Sequence, residues 1–230
     1  MAVKKIQRIL PSERREAARQ NIRKEILAAS REIIASEGFD ALTMRKLAER
    51  IGYSAAALYL HFRNRDEIAL EVSREGYVDL FAALSSATKP YRGDPQARLR
   101  ALAEAYVQFG LDHPQTYSLI FMEDPAYLKA VSAGSSGDDP ATMCYALLIE
   151  VARDLLSQGV EPVKVRAKRV RNATPTELAE TLWAAMHGIV SLKLTCPAFP
   201  TAPAEVMTQI LFDALLNGLT ADRHYEQKAR

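Results

Sequence analysis

At 230 residues, with 48% hydrophobic and 25% charged side chains, the chain has the length for one large or two small domains with a sizeable core. A net charge of +2 does not by itself announce a nucleic-acid binder, but residues 1–31 hold nine Lys or Arg against three Glu, an excess of +6 that leaves the remainder at −4. Cys144 and Cys196 lie far apart without metal-ligand spacing, no apolar run reaches the roughly 18–20 residues that span a bilayer, and the charged N-terminus lacks a signal-peptide core, so reduced thiols, no metal and a cytoplasmic location are expected.

Residues 1–11 (MAVKKIQRILP) read as a basic arm in which Lys4, Lys5 and Arg8 can reach phosphate or the minor groove; a disordered tail explains the same letters. Ser12 can cap a helix running to about Glu37, with Ile22, Ile26, Ala29 and Ile33 as its inner stripe and Gly38 as its stop. The basic residues of this helix also fit an ordinary solvated face. Thr43 is a good N-cap for a short helix whose Leu47, Ala48 and Ile51 share one apolar face, and Gly52 sits where that helix must stop. Ser54 can cap the next helix, which opens on Ala55-Ala56-Ala57 and turns Leu58 and Phe62 toward the core. Such a tight pair is a helix-turn-helix, whose second helix enters the DNA major groove. Asn64 can cap a long helix that begins with Asp66 and Glu67 at its positive end and carries Ile68, Val72, Val78, Phe81 and Leu84 along one side.

The stretch GYSAAALYLHFRNRDEI (52–68) resembles the signature of TetR-type bacterial transcription regulators: a glycine turn, a helix ending in Tyr-x-x-Phe, and a basic residue three positions on, here Arg65. The approach matches too, through Gly38-Phe39, Leu42-Thr43 and Leu47-Ala48, so the resemblance covers about residues 20–70. It implies an all-α fold, with a three-helix DNA-binding domain followed by a helical bundle for ligand binding and dimerisation. It also implies DNA contacts at Thr43, Arg45, Ser54, Ala55, Tyr59, His61 and Arg65. Thr43 and Ser54 offer hydroxyls and helix-terminal N–H groups to phosphate, and Arg45 is the expected base-edge reader. The family commonly has Lys or Pro and then Thr where this chain has Ala55 and Ala57, which leaves little polar chemistry for base readout. Recognition then leans on methyl contact, Arg45 and DNA shape.

The breakers KPYRGDP (89–95) mark an expected linker into the second domain. From Asp94-Pro95 a helix runs through Asp112 with Leu99, Leu102, Ala103, Tyr106 and Phe109 at helical spacing. His113-Pro114 breaks it, and a short helix covers 115–122. A further turn is expected at 125–131 before AGSSGDDP, then a helix from about 140 to 157 carrying Met143, Leu147, Val151 and Leu155. The basic run Lys164, Arg166, Lys168, Arg169 and Arg171 reads as a solvated loop or hairpin, with a second nucleic-acid or acidic-ligand patch as the other possibility. Thr176 is the expected cap of a helix over 177–194, and a final helix spans about 204–219.

Trp183 to Gly188 (WAAMHG) resembles the Trp-x-x-x-His-Gly of one group of TetR-family C-terminal domains, and DHPQTYSLIF (112–121) resembles that group's segment after its fifth helix. The resemblance implies that Tyr106, Phe109, Tyr117, Phe121, Met143, Leu147, Trp183, Met186 and His187 come together around a ligand cavity, although a plain hydrophobic core explains the same letters. It implies too that the last two helices pair with those of a second subunit. The residues support this, because Leu182, Ala185, Ile189 and Leu192 form a stripe and Met207, Ile210, Leu211 and Ala214 cover more than one face of the final helix; an ordinary core within the chain is the alternative.

No paired-histidine metal spacing, nucleophile elbow, P-loop or dinucleotide fingerprint occurs, so neither a cofactor nor an enzyme is expected. The domains expected are an arm (1–11), a DNA-binding domain (12–63), a connecting helix (64–88), a ligand-binding and dimerisation domain (89–221) and a tail (222–230). The function expected is a homodimeric repressor released from a palindromic DNA operator by a small apolar or aromatic effector. A helical interaction protein and a helical-bundle enzyme are the alternatives.

Overall fold

The computed structural model describes residues 11–122, 139–157, 173–196 and 198–228, with side chains from 12 to 216. The expected arm with Lys4 and Lys5, the turn at 125–131, most of AGSSGDDP, the basic run 164–171 and the tail's side chains lie outside the described residues. Among the described residues there are nine α-helices and no strand: α1 (Pro11–Glu37), α2 (Met44–Ile51), α3 (Ala55–Leu58), α4 (Arg65–Thr88), α5 (Pro95–Asp112), α6 (Pro114–Phe121), α7 (Pro140–Ser157), α8 (Pro175–Thr195) and α9 (Ala204–Lys228). Contacts divide the chain into two units, the first ending at Ser73 and the second beginning at Arg74. The border falls within α4, so the Lys89–Pro95 stretch lies inside the second unit and not at its edge, as the breakers had suggested.

In the first unit the helix ends are set by local bonds. The Thr43 hydroxyl accepts from Lys46 N at 3.1 Å and the Ser54 hydroxyl from Ala57 N at 3.2 Å. Gly52 ends α2 in the left-handed region, at φ 73° and ψ 25°, with its N–H on the carbonyl of Ala48. A side chain there would strain the turn that aims α3. Asn64 caps α4, its Oδ1 accepting from Glu67 N (2.9 Å), while the Glu67 carboxylate reaches back past the cap to accept from Arg63 N (2.7 Å). The core of this unit gathers Ile26, Ile33, Leu42, Leu47, Leu58, Phe62 and Ile68, each at most 1% exposed.

The second unit packs α5 against α7, α8 and α9, with α7 also on α8 and α8 on α9. Asp94 caps α5 by accepting from Gln96 N and Ala97 N at 3.1 and 3.0 Å. Arg98, 5% exposed, ties α5 to α7 through Glu150 (2.8 Å) and Asp154 (2.5 Å). The cap of α8 is Thr174, not Thr176: Pro175 takes the first helical position and Thr174 forms a capping box with Glu177, which only the residue just before the proline can do. The final helix runs nine residues beyond the expected 219, to Lys228.

At Gly110 of α5, side chains of two other helices lie close against the backbone. A Cβ there would stand 2.5 Å from Cγ1 of Val190 in α8 and 3.0 Å from the ring of Tyr117 in α6. Helix propensity alone favours alanine by about 1 kcal/mol, whereas overpacking costs about 1–3 kcal/mol. Gly110→Ala should therefore lower the stability of the second unit by about 1–2 kcal/mol, read as a reduced midpoint in urea; a higher midpoint would show that α8 can yield.

Candidate DNA-binding surface and ligand cavity

Around the glycine turn the first unit exposes a short, mixed set of side chains. Thr43, Arg45, Tyr53, Ser54, Ala56, Tyr59, Leu60, Arg63 and Asn64 are exposed, Leu60 by 75% and Tyr59 by 55%. The helix-forming part of α3 is only four residues. Tyr59 closes it, and the bonds from His61 N and Phe62 N to the carbonyl of Leu58 fold the chain inward to bury Phe62. Of the three alanines, Ala55 and Ala57 are half-buried, so Ala56 presents the methyl group outward.

The basic candidates differ in how they are held. Arg45 is exposed, with its Nε 3.4 Å from Glu49 one turn on, a surface pair that leaves it available. Arg65 is anchored: its guanidinium lies 4.9 Å from the centre of the Phe39 ring, and Nη1 donates to the carbonyl of Leu42 at 3.5 Å. His61 is half-buried. Burial first, then the charges of Arg19 and Arg23, hold its imidazole below the usual value and favour its neutral form. Arg23 supports this corner by donating to the carbonyl of His61 (2.6 Å), lying 4.1 Å over the Phe62 ring and approaching Glu71 at 3.8 Å. Tyr53, Leu60 and Arg63 were not among the expected contacts. Their signal is position, beside the glycine turn and just after α3, and not residue type.

The second unit holds a cavity of about 490 Å³. Of the residues named for a ligand cavity, Tyr106, Phe121, Trp183 and Met186 line this one. Tyr77, Leu80 and Leu84 of α4 and Cys144, Tyr145 and Leu148 of α7 complete most of the wall, and none of these had been expected there. Met143 and Leu147 instead line a separate hollow of about 310 Å³ with Phe81 and Arg98. One residue along a helix rotates the side chain by about 100°, which separates Met143 from Cys144 and Leu147 from Leu148. Phe109 is buried with its ring 5.0 Å from that of His113. Tyr117 and His187 stand behind the wall and act on it through hydrogen bonds.

Trp183 Nε1–H donates to the Tyr106 hydroxyl at 2.9 Å, the Tyr106 and Tyr117 hydroxyls are 3.0 Å apart, and the Tyr117 hydroxyl is 2.6 Å from Nδ1 of His187. An indole can only donate, so every donor finds an acceptor when Tyr106 donates to Tyr117 and Tyr117 to His187. That assigns the imidazole proton to Nε2. Burial raises the Tyr106 and Tyr117 phenols and lowers His187. Burial also pushes the Cys144 thiol up to about 12, so it lines the cavity as an unreactive thiol.

The His187 shift fixes a pH dependence. Above the ordinary imidazole value of 6.5 both folded and unfolded forms are neutral there. As pH falls below it, the unfolded chain takes the proton more readily, so stability declines with falling pH. The melting temperature of the wild type should fall more between pH 7.5 and 5.5 than that of His187→Asn, whose amide oxygen still accepts from Tyr117. Parallel curves would show that His187 does not titrate in this window.

Leu182 (2% exposed) and Ile189 (6%), expected on an open dimer face, lie in the chain's own core, because α8 turns that edge toward α5 and α7. Ala185, Met207 and Leu211 are half-buried, while Leu192 (37%), Ile210 (65%) and Ala214 are exposed, as are Ala184 and Val206. A Cβ on Gly188 would meet nothing within 4 Å.

Among the described residues no group of acidic, cysteine and histidine side chains can hold a metal ion, and no helix is long and apolar enough to cross a membrane. A helix-turn-helix unit joined through one continuous helix to a helical unit with an apolar cavity defines the class of DNA-binding transcriptional regulators. The chain belongs to the TetR family: residues 26–72 match the family model described as bacterial regulatory proteins, tetR family, and residues 99–219 match that of the tetracyclin repressor-like C-terminal domain. It is 24% identical to the HTH-type transcriptional repressor KstR2 of Mycobacterium tuberculosis over 209 residues, 90% of this chain and 98% of that protein. It is 33% identical to the HTH-type transcriptional activator FasR of Mycolicibacterium smegmatis over 106 residues, 46% of this chain and about half (48%) of that relative. A bacterial regulatory protein in the tetR family from Rhodococcus RHA1 superposes with a TM-score of 0.61 at 17% identity, covering 86% of this chain and 96% of that one; at that identity the likeness is one of fold.

Proposed function

We propose that the protein is a homodimeric repressor that binds a palindromic DNA operator through the α2–α3 pair and leaves it when an effector occupies the cavity of the second unit. The observation that carries this reading is α4. Ile68, Ala69 and Val72 of its first half are core residues of the DNA-binding unit, while Tyr77, Leu80 and Leu84 of its second half form cavity wall. A ligand that favours one position of the second half thereby biases the first, and only through unequal affinity for the two states. Repression follows the relative matched over most of its length, which is named as a repressor. The finer Trp-x-x-x-His-Gly grouping and a cytoplasmic location belong to the same reading. Self-association is supported by Leu192, Val206, Ile210 and Ala214, an exposed apolar set on α8 and α9, and by the open side of Gly188. Two such faces pair about a two-fold axis, which sets two α3 segments on an operator of matching symmetry.

Selection of genomic fragments by the purified protein tests the reading. The expected result is enrichment of an inverted repeat, with affinity that falls steeply as salt rises. Recovery of no preferred sequence at any salt would leave the interaction-protein alternative. Within a recovered operator, Arg45→Ala should relax preference at one base pair per half-site, worth about 1–3 kcal/mol of discrimination. A uniform loss across all sequences would make Arg45 a phosphate contact.

A further inference from the structure

The polar groups on the wall of the cavity lined by Tyr106 and Trp183 are arranged unequally. Most of its side-chain donors are spent on the protein: Trp183 Nε1–H on Tyr106 (2.9 Å), the Tyr77 hydroxyl on the carbonyl of Ile120 (3.4 Å), the Tyr145 hydroxyl on Glu180 (3.0 Å) and the Cys144 thiol on the carbonyl of Tyr77 (3.6 Å). Tyr106, given the direction of its chain, spends its own proton on Tyr117. Thr142 has the one described lining hydroxyl with no assigned partner. Acceptors, by contrast, remain open. Among the described residues, Asp139, 8% exposed, takes only the N–H of Thr142 at 3.4 Å, and Glu180 takes the Tyr145 hydroxyl on one of its two oxygens. No Lys, Arg or His is among the described lining residues, and five of them are aromatic.

We propose that this cavity takes an organic cation: an apolar or aromatic body bearing a protonated amine, with the ammonium set against Asp139 and Glu180. The proposal rests on the reading of the cavity as the effector site and names its ligand class. Carboxylates pair with an ammonium, the negative faces of Tyr77, Tyr106, Phe121, Tyr145 and Trp183 attract it, and the lone pairs of the phenol oxygens accept its N–H groups. A ligand with a carboxylate head meets the reverse arrangement. Its charge would be desolvated beside two like charges, with no described cation on the wall to pair it.

Trp183 is the chain's single tryptophan and lines the cavity, so its fluorescence reports occupancy directly. The full chain is titrated at pH 7.5 and constant ionic strength with dodecylamine, dodecanol and dodecanoate, each below its micelle concentration. Dodecylamine should bind at least about tenfold more tightly than dodecanoate, with dodecanol between them. In the Asp139→Asn/Glu180→Gln double variant the amine should lose that advantage while dodecanol binding is retained; asparagine still caps α7, so the fold is kept. Dodecanoate binding as tightly as the amine, a preference that survives the double variant, or no response to any of the three would each overturn the proposal. None of these results touches the DNA-binding reading, which fragment selection tests without ligand.

Discussion

Replacing Ala56 by glutamate should lower operator affinity by about a hundredfold or more and leave the melting temperature of the protein unchanged. Ala56 is the exposed member of the alanine run, so the new carboxylate points outward and disturbs no packing. In the first turn of α3 a carboxylate even suits the helix end. Against DNA it is placed between phosphates, where like-charge juxtaposition costs several kcal/mol. Ala55→Glu is a poorer test because Ala55 is half-buried and its replacement mixes folding with binding. Unchanged affinity of Ala56→Glu for a recovered operator would show that α3 does not enter the groove.

Phe62→Ala should abolish operator binding by another route. The ring is 1% exposed in the core of the first unit and carries the Arg23 guanidinium 4.1 Å above it. Truncation removes a large buried ring and the cation–π contact, a loss of about 3–5 kcal/mol, most or all of what a domain of this size has. The second unit has its own core, built around Leu99, Leu102, Tyr117 and Val151, whereas Phe62 belongs to the first. A thermal melt followed by circular dichroism should therefore split, with an early loss of part of the helical signal and a later transition for the remainder. Trp183 fluorescence, which lies in the second unit, should follow the later one alone. A single transition at the wild-type temperature would mean that the ring's packing contributes little. The two substitutions thus separate loss of a surface from loss of a fold, although both silence DNA binding.

Much of the first unit was legible because its signals are local. Thr43, Gly52, Ser54 and Asn64 act within four residues of themselves, by hydrogen bonds and backbone angles that the residue types nearly dictate, and the structure has each of them as read. Asp94-Pro95 opens α5 for the same reason. The cap of α8 was missed by two residues because two threonines flank Pro175 and the decisive partner, Glu177, lies within reach of only one of them.

The second unit was less legible. Periodicity marks a helix as apolar on one side, but it does not say which neighbour that side meets. Leu182, Ile189 and Leu192 fall on one reading of a stripe, yet the first two are buried against the chain's own helices and the third is exposed. Cys144 and Met143 are adjacent letters of similar character, and a rotation of about 100° sends them to different hollows. Tyr77, Leu80 and Leu84 were read as part of a connecting helix or passed over; they become cavity wall where α4 meets α6 and α7, through Tyr77 on Ile120 and Phe121 and Cys144 on Tyr77.

By itself the sequence determined the all-α class, the helix-turn-helix with its caps and αL glycine, the uneven charge and the family resemblance, since all of these rest on short-range preferences and on letters at fixed spacing. Only the tertiary structure decided which alanine faces outward, that Arg65 is anchored on Phe39, which residues enclose the cavity, and that among the described residues most of the cavity's side-chain donors are consumed while its carboxylates stay open. Those facts depend on helix rotation and on bonds between residues as far as 77 positions apart, as from Trp183 to Tyr106, which no local pattern encodes.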